Sequence, residues 1–316
     1  MKKVAILESL GIPADELNGL IAPFEAEGHV FTEYARTTDV PTLIEETRDA
    51  DAMILANMPM PAAVLEACEK LQFVDIAFTG VDHVAMDVVR QRGLVASNAS
   101  GYSNEAVAEL GVGMAIGLMR NVTAVEARCR AGQTKDGLVG CELRGKTVGI
   151  IGIGNIGRRS AELFHAFGCT VLGNGTRIHN DLPDYIQQVD KETLLRRSDI
   201  VVLHCPLNDS TRGMIDKRVL SLMKPTAYLI NLARGPVVVT QDLADALNDG
   251  VIAGAAVDVF DKEPPLPADE PLLSARNTLL TPHIAFASHE SMTLRAKIVF
   301  DNLRAWLDGT PKNVIQ

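Results

Sequence analysis

Six residues constrain this 316-residue chain more than any other stretch. Gly152, Ile153, Gly154, Asn155, Ile156 and Gly157 follow directly on an apolar, β-branched run at 147–151 and lead directly into a helical stretch at 158–167. Glycine at the first, third and sixth places of a strand-to-helix turn has a distinct use at each. Gly152 makes the tight turn, Gly154 lets the main chain approach a pyrophosphate, and Gly157 allows the helix to pack closely on the strand. The helix N-terminus supplies amide donors and the positive end of a dipole to the phosphates. The motif predicts a dinucleotide site on a parallel α/β sheet.

The rest of the chain agrees with such a sheet. Short apolar runs at 4–7, 30–34, 52–56, 73–77 and 94–96 read as strands, and Leu17, Leu20, Ile21 and Phe24 lie on one helical face between the first two. A small-residue helix at 103–120 (Ala106, Ala108, Gly111, Gly113, Ala115, Gly117) can approach a neighbour closely and reads as a buried connector. Six further strands follow at 148–151, 170–173, 200–203, 227–231, 253–259 and 278–281, and an amphipathic helix at 288–307 returns to the first domain. Strands alternating with helices imply parallel sheets with crossover helices. With 47% apolar and 22% charged residues the chain can bury a core of that size.

Composition also excludes partners. Thirty basic against forty acidic residues leave a net charge of −10, and no Lys/Arg block is longer than a pair, which argues against nucleic acid and anionic membranes. The longest uncharged runs, 52–65 and 163–176, fall short of the roughly 20 residues a bilayer requires. The first seven residues are too short an apolar segment for a signal peptide. Cys68, Cys129, Cys141, Cys169 and Cys205 show neither disulfide nor zinc spacing, so reduced thiols in a cytoplasmic protein without a metal are expected.

Choice between the two nicotinamide cofactors is read at the end of the second strand of the nucleotide sheet, where a carboxylate holds the ribose 2′-hydroxyl. Here Gly175 stands in that place, followed by Thr176 and Arg177, with no acid before Asp181. A missing carboxylate with a hydroxyl and a guanidinium at hand suits a 2′-phosphate, so NADP is expected over NAD. Ligands of open α/β sheets gather beyond the carboxyl ends of the strands. There the sequence places His204, Cys205 and Pro206, then Leu232, Ala233, Arg234 and Gly235, then Asp258 and Glu263, and finally Pro282 and His283. One arginine, one carboxylate and one histidine at one sheet edge form an acid/base group beside an anion-binding group.

These stretches together resemble the D-isomer-specific 2-hydroxyacid dehydrogenases. The likeness runs through Gly80-Val81-Asp82, the connector helix, the glycine motif, Thr211-Arg212-Gly213-Met214-Ile215, residues 231–235, Asp258-Val259-Phe260 with Glu263-Pro264, and Thr281-Pro282-His283, and so covers essentially the whole chain. It implies a Rossmann-type doubly wound parallel sheet (101–283) inserted into a smaller flavodoxin-like α/β substrate-binding domain (1–100 with 284–316). It also implies reduction of a 2-oxo acid, of glyoxylate or hydroxypyruvate size or larger, to a D-2-hydroxy acid.

The resemblance assigns roles. Arg234 holds the substrate carboxylate and polarises its carbonyl, aided by the amides of Thr79, Gly80 and Val81. His283 gives the proton, and Glu263 favours the charged imidazole. Asp258 binds the nicotinamide carboxamide, while Asn155, Ile156, Cys205, Pro206, Thr211, Leu232, Ala233 and Ala285 line the cofactor. Cys205 is a contact and not a nucleophile, since no base flanks it. A homodimer through the connector region is implied too.

Two departures stand out: Gly175 with Arg177 in place of the NAD-type acid, and Phe286 where many relatives carry glycine. An NAD-preferring member, or a cofactor-sensing corepressor of the same fold, stays open. Glu263 argues against formate dehydrogenase, whose histidine partner is an amide.

Overall fold

The computed structural model describes residues 1–262 and 265–315. It forms two compact units, Met1–Ser103 with Ala287–Gln316, and Asn104–Phe286. The smaller unit contains β1 (Lys3–Ile6), α1 (Ala14–Ala26), β2 (Val30–Glu33), α2 (Val40–Thr47), β3 (Ala52–Leu55), α3 (Ala62–Ala67), β4 (Phe73–Ile76), α4 (Met86–Gln91) and β5 (Val95–Asn98). The larger begins with α5 (Asn104–Met119) and α6 (Val122–Arg130), then β6 (Thr147–Ile151), α7 (Asn155–Ala166), β7 (Thr170–Asn174), β8 (Ile186–Gln188), α8 (Lys191–Arg197) and β9 (Ile200–Leu203). It continues through α9 (Lys217–Leu220), β10 (Tyr228–Asn231), α10 (Thr240–Asn248), β11 (Gly254–Val257) and β12 (Thr278–Leu280). The last helix, α11 (His289–Leu307), belongs to the smaller unit.

The smaller sheet is parallel in the order β2-β1-β3-β4-β5, the flavodoxin-like order, and its inner strands β3 and β4 are buried on both faces. Leu17, Ile21 and Phe24 of α1 face the core as their spacing predicts, and Phe24 packs against Phe300 of α11. Trp306 of the same helix stacks on Phe73 of β4, with ring centroids 5.0 Å apart. Ser288 and Ser291 cap α11 reciprocally, so the helix starts where the sequence places it.

The larger sheet is parallel in the order β12-β11-β10-β9-β6-β7-β8. It has seven strands among the described residues where the sequence suggests six. The extra one, β8, has three residues of which only Ile186 is buried, so no apolar run marks it. α7 begins at Asn155 and not at Arg158, because Gly154 is its N-cap. The small residues of α5 are used inside this unit: a Cβ on Gly117 would lie 2.9 Å from Leu279, and one on Gly111 would lie 3.1 Å from Leu232. Gly113 of the same helix is exposed, with nothing within 4 Å of a Cβ placed on it. Also exposed in this region are α6, which has no buried residue, and Val139.

Candidate active site

Backbone geometry explains each glycine of the dinucleotide motif. Gly152 has φ +101° and sits so close to the chain after β9 that a Cβ would lie 2.6 Å from the amide nitrogen of Cys205. A Cβ on Gly157 would lie 2.0 Å from the carbonyl oxygen of Gly152, so only glycine lets α7 pack on this turn. Gly154 is different, since a Cβ there meets nothing within 4 Å and no side chain caps α7. The first-turn amides thus lie beside open space, and these residues fit a nucleotide diphosphate.

Neighbouring side chains shape this edge without reacting. His204 turns its ring inward, with Nε2 2.8 Å from Ser160 Oγ and Nδ1 buried without a partner among the described residues. Burial holds its pKa down at about 4, so the ring is neutral at neutral pH. Only its backbone, which donates to Ile151, belongs to the loop. Cys205 is buried and its thiol is pushed up by burial, which suits a contact residue. Thr211 Oγ1 donates to the carbonyl of Pro206 (2.7 Å) and accepts from the amide of Asn208 (2.9 Å), closing the turn between them.

The segment after β7 is held by residues that motif reading passes over. Gln188 on β8 donates to the carbonyl of Arg177 (2.6 Å) and accepts from the amide of His179 (3.0 Å). Arg158 of α7 pairs with Asp181 (2.9 Å) and lies 3.2 Å from His179 Nδ1. Its guanidinium also keeps the Asp181 carboxyl below its usual range, through a hydrogen bond first and charge second. The acid nearest in sequence to the ribose end of β7 is therefore committed to Arg158. Thr176 and Arg177 are exposed beside Gly175, whose Cβ would press within 3.1 Å of Ile153.

At the ends of β10, β11 and β12 polar side chains hold the reactive candidates. Asn231 accepts from the amide of Ala233 and donates to the carbonyl of Arg234, shaping the turn that carries the arginine. Gly235 follows because a Cβ there would lie 2.0 Å from the carbonyl carbon of Phe260. Asp258 is fully buried and binds three donors: Thr281 Oγ1 (2.6 Å), the amide of Ile284 and the amide of Ala285 (both 2.8 Å). Burial raises its carboxyl, and these hydrogen bonds act against that. Together with the His283 amide, which donates to the Asp258 carbonyl (2.7 Å), they hold His283 at φ +55°. A non-glycine residue in that region is uncommon and is kept only by its surroundings. The His283 ring meets Phe286 edge to face at 5.3 Å. Leu232, Ala233 and Ala285 are buried, whereas Glu263 lies outside the described residues.

In the smaller unit the amides of Thr79, Gly80 and Val81, beyond β4, donate to no described protein atom. Three successive open amides form an anion-binding concavity. Behind them Asn98 donates to the Thr79 carbonyl (2.8 Å), and Asn302 of α11 donates to the Asn98 carbonyl and to Asp75 Oδ1 (both 3.1 Å). Asn313 donates to Asn302 Oδ1 (2.8 Å). Asp75 is fully buried, and burial raises its carboxyl well above the usual range, against the hydrogen bond from Asn302. Sequence reading missed this chain of side chains. Its one available signal is polar residues continuing an apolar strand, as Ser97 and Asn98 do after Val95 and Ala96.

Among the described residues no helix is long and apolar enough to cross a membrane. Residues 112–285 match the family model "D-isomer specific 2-hydroxyacid dehydrogenase, NAD binding domain". The chain is 38% identical over 276 residues to a glyoxylate reductase of Thermofilum pendens, covering 84% of this chain and 81% of that protein. It is 34% identical over 292 residues to a hydroxypyruvate reductase of Blautia hydrogenotrophica, covering 89% and 90%. Among solved structures, an acyclic imino acid reductase in complex with NADPH and D-Arg superposes with a TM-score of 0.91 at 28% identity, covering 99% of this chain and all of that one. A glycine cradle, a braced arginine and a strained histidine on one sheet edge, with a match over more than half the sequence, lead to one assignment: this chain belongs to the D-isomer-specific 2-hydroxyacid dehydrogenase family.

Proposed function

We propose that the protein reduces 2-oxo acids to D-2-hydroxy acids with NADPH. The observation that carries this reading is that one carboxyl edge of the seven-stranded sheet holds the open glycine cradle, Arg234 braced by Asn231, and His283 braced by Asp258. The relatives named as glyoxylate and hydroxypyruvate reductases support the same chemistry.

A bound reduced nicotinamide supplies hydride to the carbonyl carbon. Arg234 pairs with the substrate carboxylate and orients the carbonyl, and the open amides of Thr79, Gly80 and Val81 are assigned to substrate binding. His283 donates its proton to the carbonyl oxygen as negative charge develops there, and takes it back in the oxidative direction. Glu263 favours the imidazolium that reduction requires. Asp258 holds the backbone of His283 through its three donors, and the one bond at Oδ2 leaves acceptor capacity for a carboxamide. Gly152, Gly154, Asn155, Ile156 and Gly157 hold the diphosphate; His204 and Cys205 contribute main chain, and Pro206, Thr211, Leu232 and Ala233 line the nucleotide.

Preference for NADP rests on exposed Thr176 and Arg177 beside Gly175, with Asp181 already neutralised by Arg158. In this reading the smaller unit is the substrate domain and the larger the cofactor domain. The protein works in the cytoplasm with its five cysteines unpaired, as a homodimer through the connector region.

Steady-state rates on glyoxylate and hydroxypyruvate test it. The expected result is turnover with a higher kcat/KM for NADPH than for NADH. A clear NADH preference overturns the cofactor assignment, and no turnover of any 2-oxo acid overturns the reaction. Glu263→Gln is expected to move the loss of reductase activity to lower pH, and an unchanged profile breaks that pairing.

A further inference from the structure

The order of the smaller sheet reverses between β1 and β3, and in open α/β sheets the crevice at such a reversal is where ligands bind. A charged group stands there. Glu8, two residues beyond β1, is 5% exposed, and its Oε1 accepts from the amides of Ala56 (2.7 Å) and Met58 (2.9 Å) just beyond β3. Its Oε2 faces Arg36 Nη1 at 3.4 Å. That same nitrogen donates to Asn57 Oδ1 at 2.9 Å, so the Arg36 side chain, rooted after β2, reaches across β1 to the end of β3.

The guanidinium is fixed on one side and open on the other. Nη1 takes both partners, while Nε and Nη2 donate to no described atom, and the side chain is half exposed. The Nε/Nη2 edge is the fork that matches a carboxylate or phosphate in bidentate geometry. A second guanidinium adds to the positive balance: Arg295 of α11 is buried and donates to the carbonyl of Leu10 at 2.6 Å. Arg36 is paired with the buried Glu8, and Arg295 is near enough to Glu8 to feel its charge; of the acids flanking Arg36 in sequence, Glu33 ends β2 and Asp39 is engaged in capping α2.

The place of this group relative to the open amides follows from the sheet. β3 and β4 are neighbours, and their continuations stay side by side, since the amide of Ala77 donates to Leu55 (2.7 Å) and that of Met60 to His83 (2.8 Å). Asn57 and the loop that carries Thr79, Gly80 and Val81 therefore lie between the same two cross-strand bonds, at the carboxyl edge of the sheet. A substrate whose first carboxylate sits on those amides has Arg36 on the same sheet edge to receive a second anionic group.

We propose that Arg36, held by Glu8 and Asn57, selects 2-oxo acids that bear a second anionic group on the side chain. The inference rests on the reading of the reaction given above, and the test separates the two. Oxaloacetate and 4-methyl-2-oxopentanoate have side chains of similar shape, one ending in a carboxylate and one in an isopropyl group. With NADPH, kcat/KM is expected to favour oxaloacetate by about tenfold or more, and Arg36→Met is expected to reduce that ratio by about tenfold, mostly through KM, the scale of one charged contact. Arg36→Lys, which keeps the charge and loses the fork, is expected to fall between them. The NADPH Kd of each variant reports that the nucleotide unit is folded. Preference for the isopropyl substrate, or a ratio that Arg36→Met does not move, overturns the role of Arg36 while reduction stands. Failure to reduce glyoxylate as well overturns both readings.

Discussion

Both units leave backbone amides open at the carboxyl edge of a sheet, but they hold those amides in different ways. The larger unit does it by removing side chains: at Gly152, Gly157 and Gly235 main chain meets main chain at distances no Cβ tolerates. The smaller unit does it by burying polar side chains, with Asp75, Asn302 and Asn98 reaching the carbonyl of Thr79, and Glu8 tying the ends of β1 and β3 together. Glycine packing is all or nothing, because a methyl group either fits or forces the backbone apart. A hydrogen-bonded relay can lose a member and relax, so its failures are graded.

The sharpest way to break this contrast is Gly157→Ala. The new methyl would sit against the Gly152 carbonyl, and NADPH affinity is expected to fall by about 100-fold or more, or about 2.7 kcal/mol. Equilibrium fluorescence titration measures it, and a loss under threefold would show that the turn yields more easily than its geometry implies.

Acid stability comes next. His204 is buried neutral with its pKa lowered to about 4, below the roughly 6.5 of an unfolded histidine. The unfolded state therefore binds the extra proton first. The neutral ring's contribution is complete above pH 6.5 and is lost as pH falls toward 4, at most about 3 kcal/mol by the shift alone. Urea unfolding between pH 7 and 4 is expected to show a shallower decline in His204→Gln than in the wild type, and parallel curves would remove this histidine from the acid response.

The relay gives the smallest effect. Asn98→Ala is expected to raise KM for the 2-oxo acid about tenfold, or about 1.4 kcal/mol, with kcat much less affected and NADPH Kd unmoved. An equal drop in kcat would mean that the Thr79 loop does more than bind. Asn98→Asp, which keeps an oxygen for the Ser100 amide and loses the donor to Thr79, should behave like the alanine variant if that single bond is what counts.

The same contrast decides what can be read from sequence. Glycines with steric work stand out at fixed spacing, and the strands they join are apolar runs buried on both faces, so the glycine turn and the parallel sheet were legible together. β8 was not, because an edge strand of Ile-Gln-Gln carries one buried side chain and no period. α6 was not, because a helix with no buried residue has no apolar face to register. Arg234 and His283 could be picked out by their place after strands, but Asn231, which shapes the turn of the first, looks like any polar residue at a strand end. Asn98, Asn302 and Asp75 are separated by up to 227 positions, and nothing local in the sequence couples them.

The left-handed backbone at His283 bears on how its chemistry should be probed. Alanine at φ +55° adds a conformational penalty to the loss of the imidazole, so a slow alanine variant confounds two causes. Asparagine visits that region far more readily and has no group that titrates near neutrality. The asparagine substitution is therefore the clean control for the imidazole, and the gap between the alanine and asparagine variants in thermal midpoint measures what the loop spends to hold this turn.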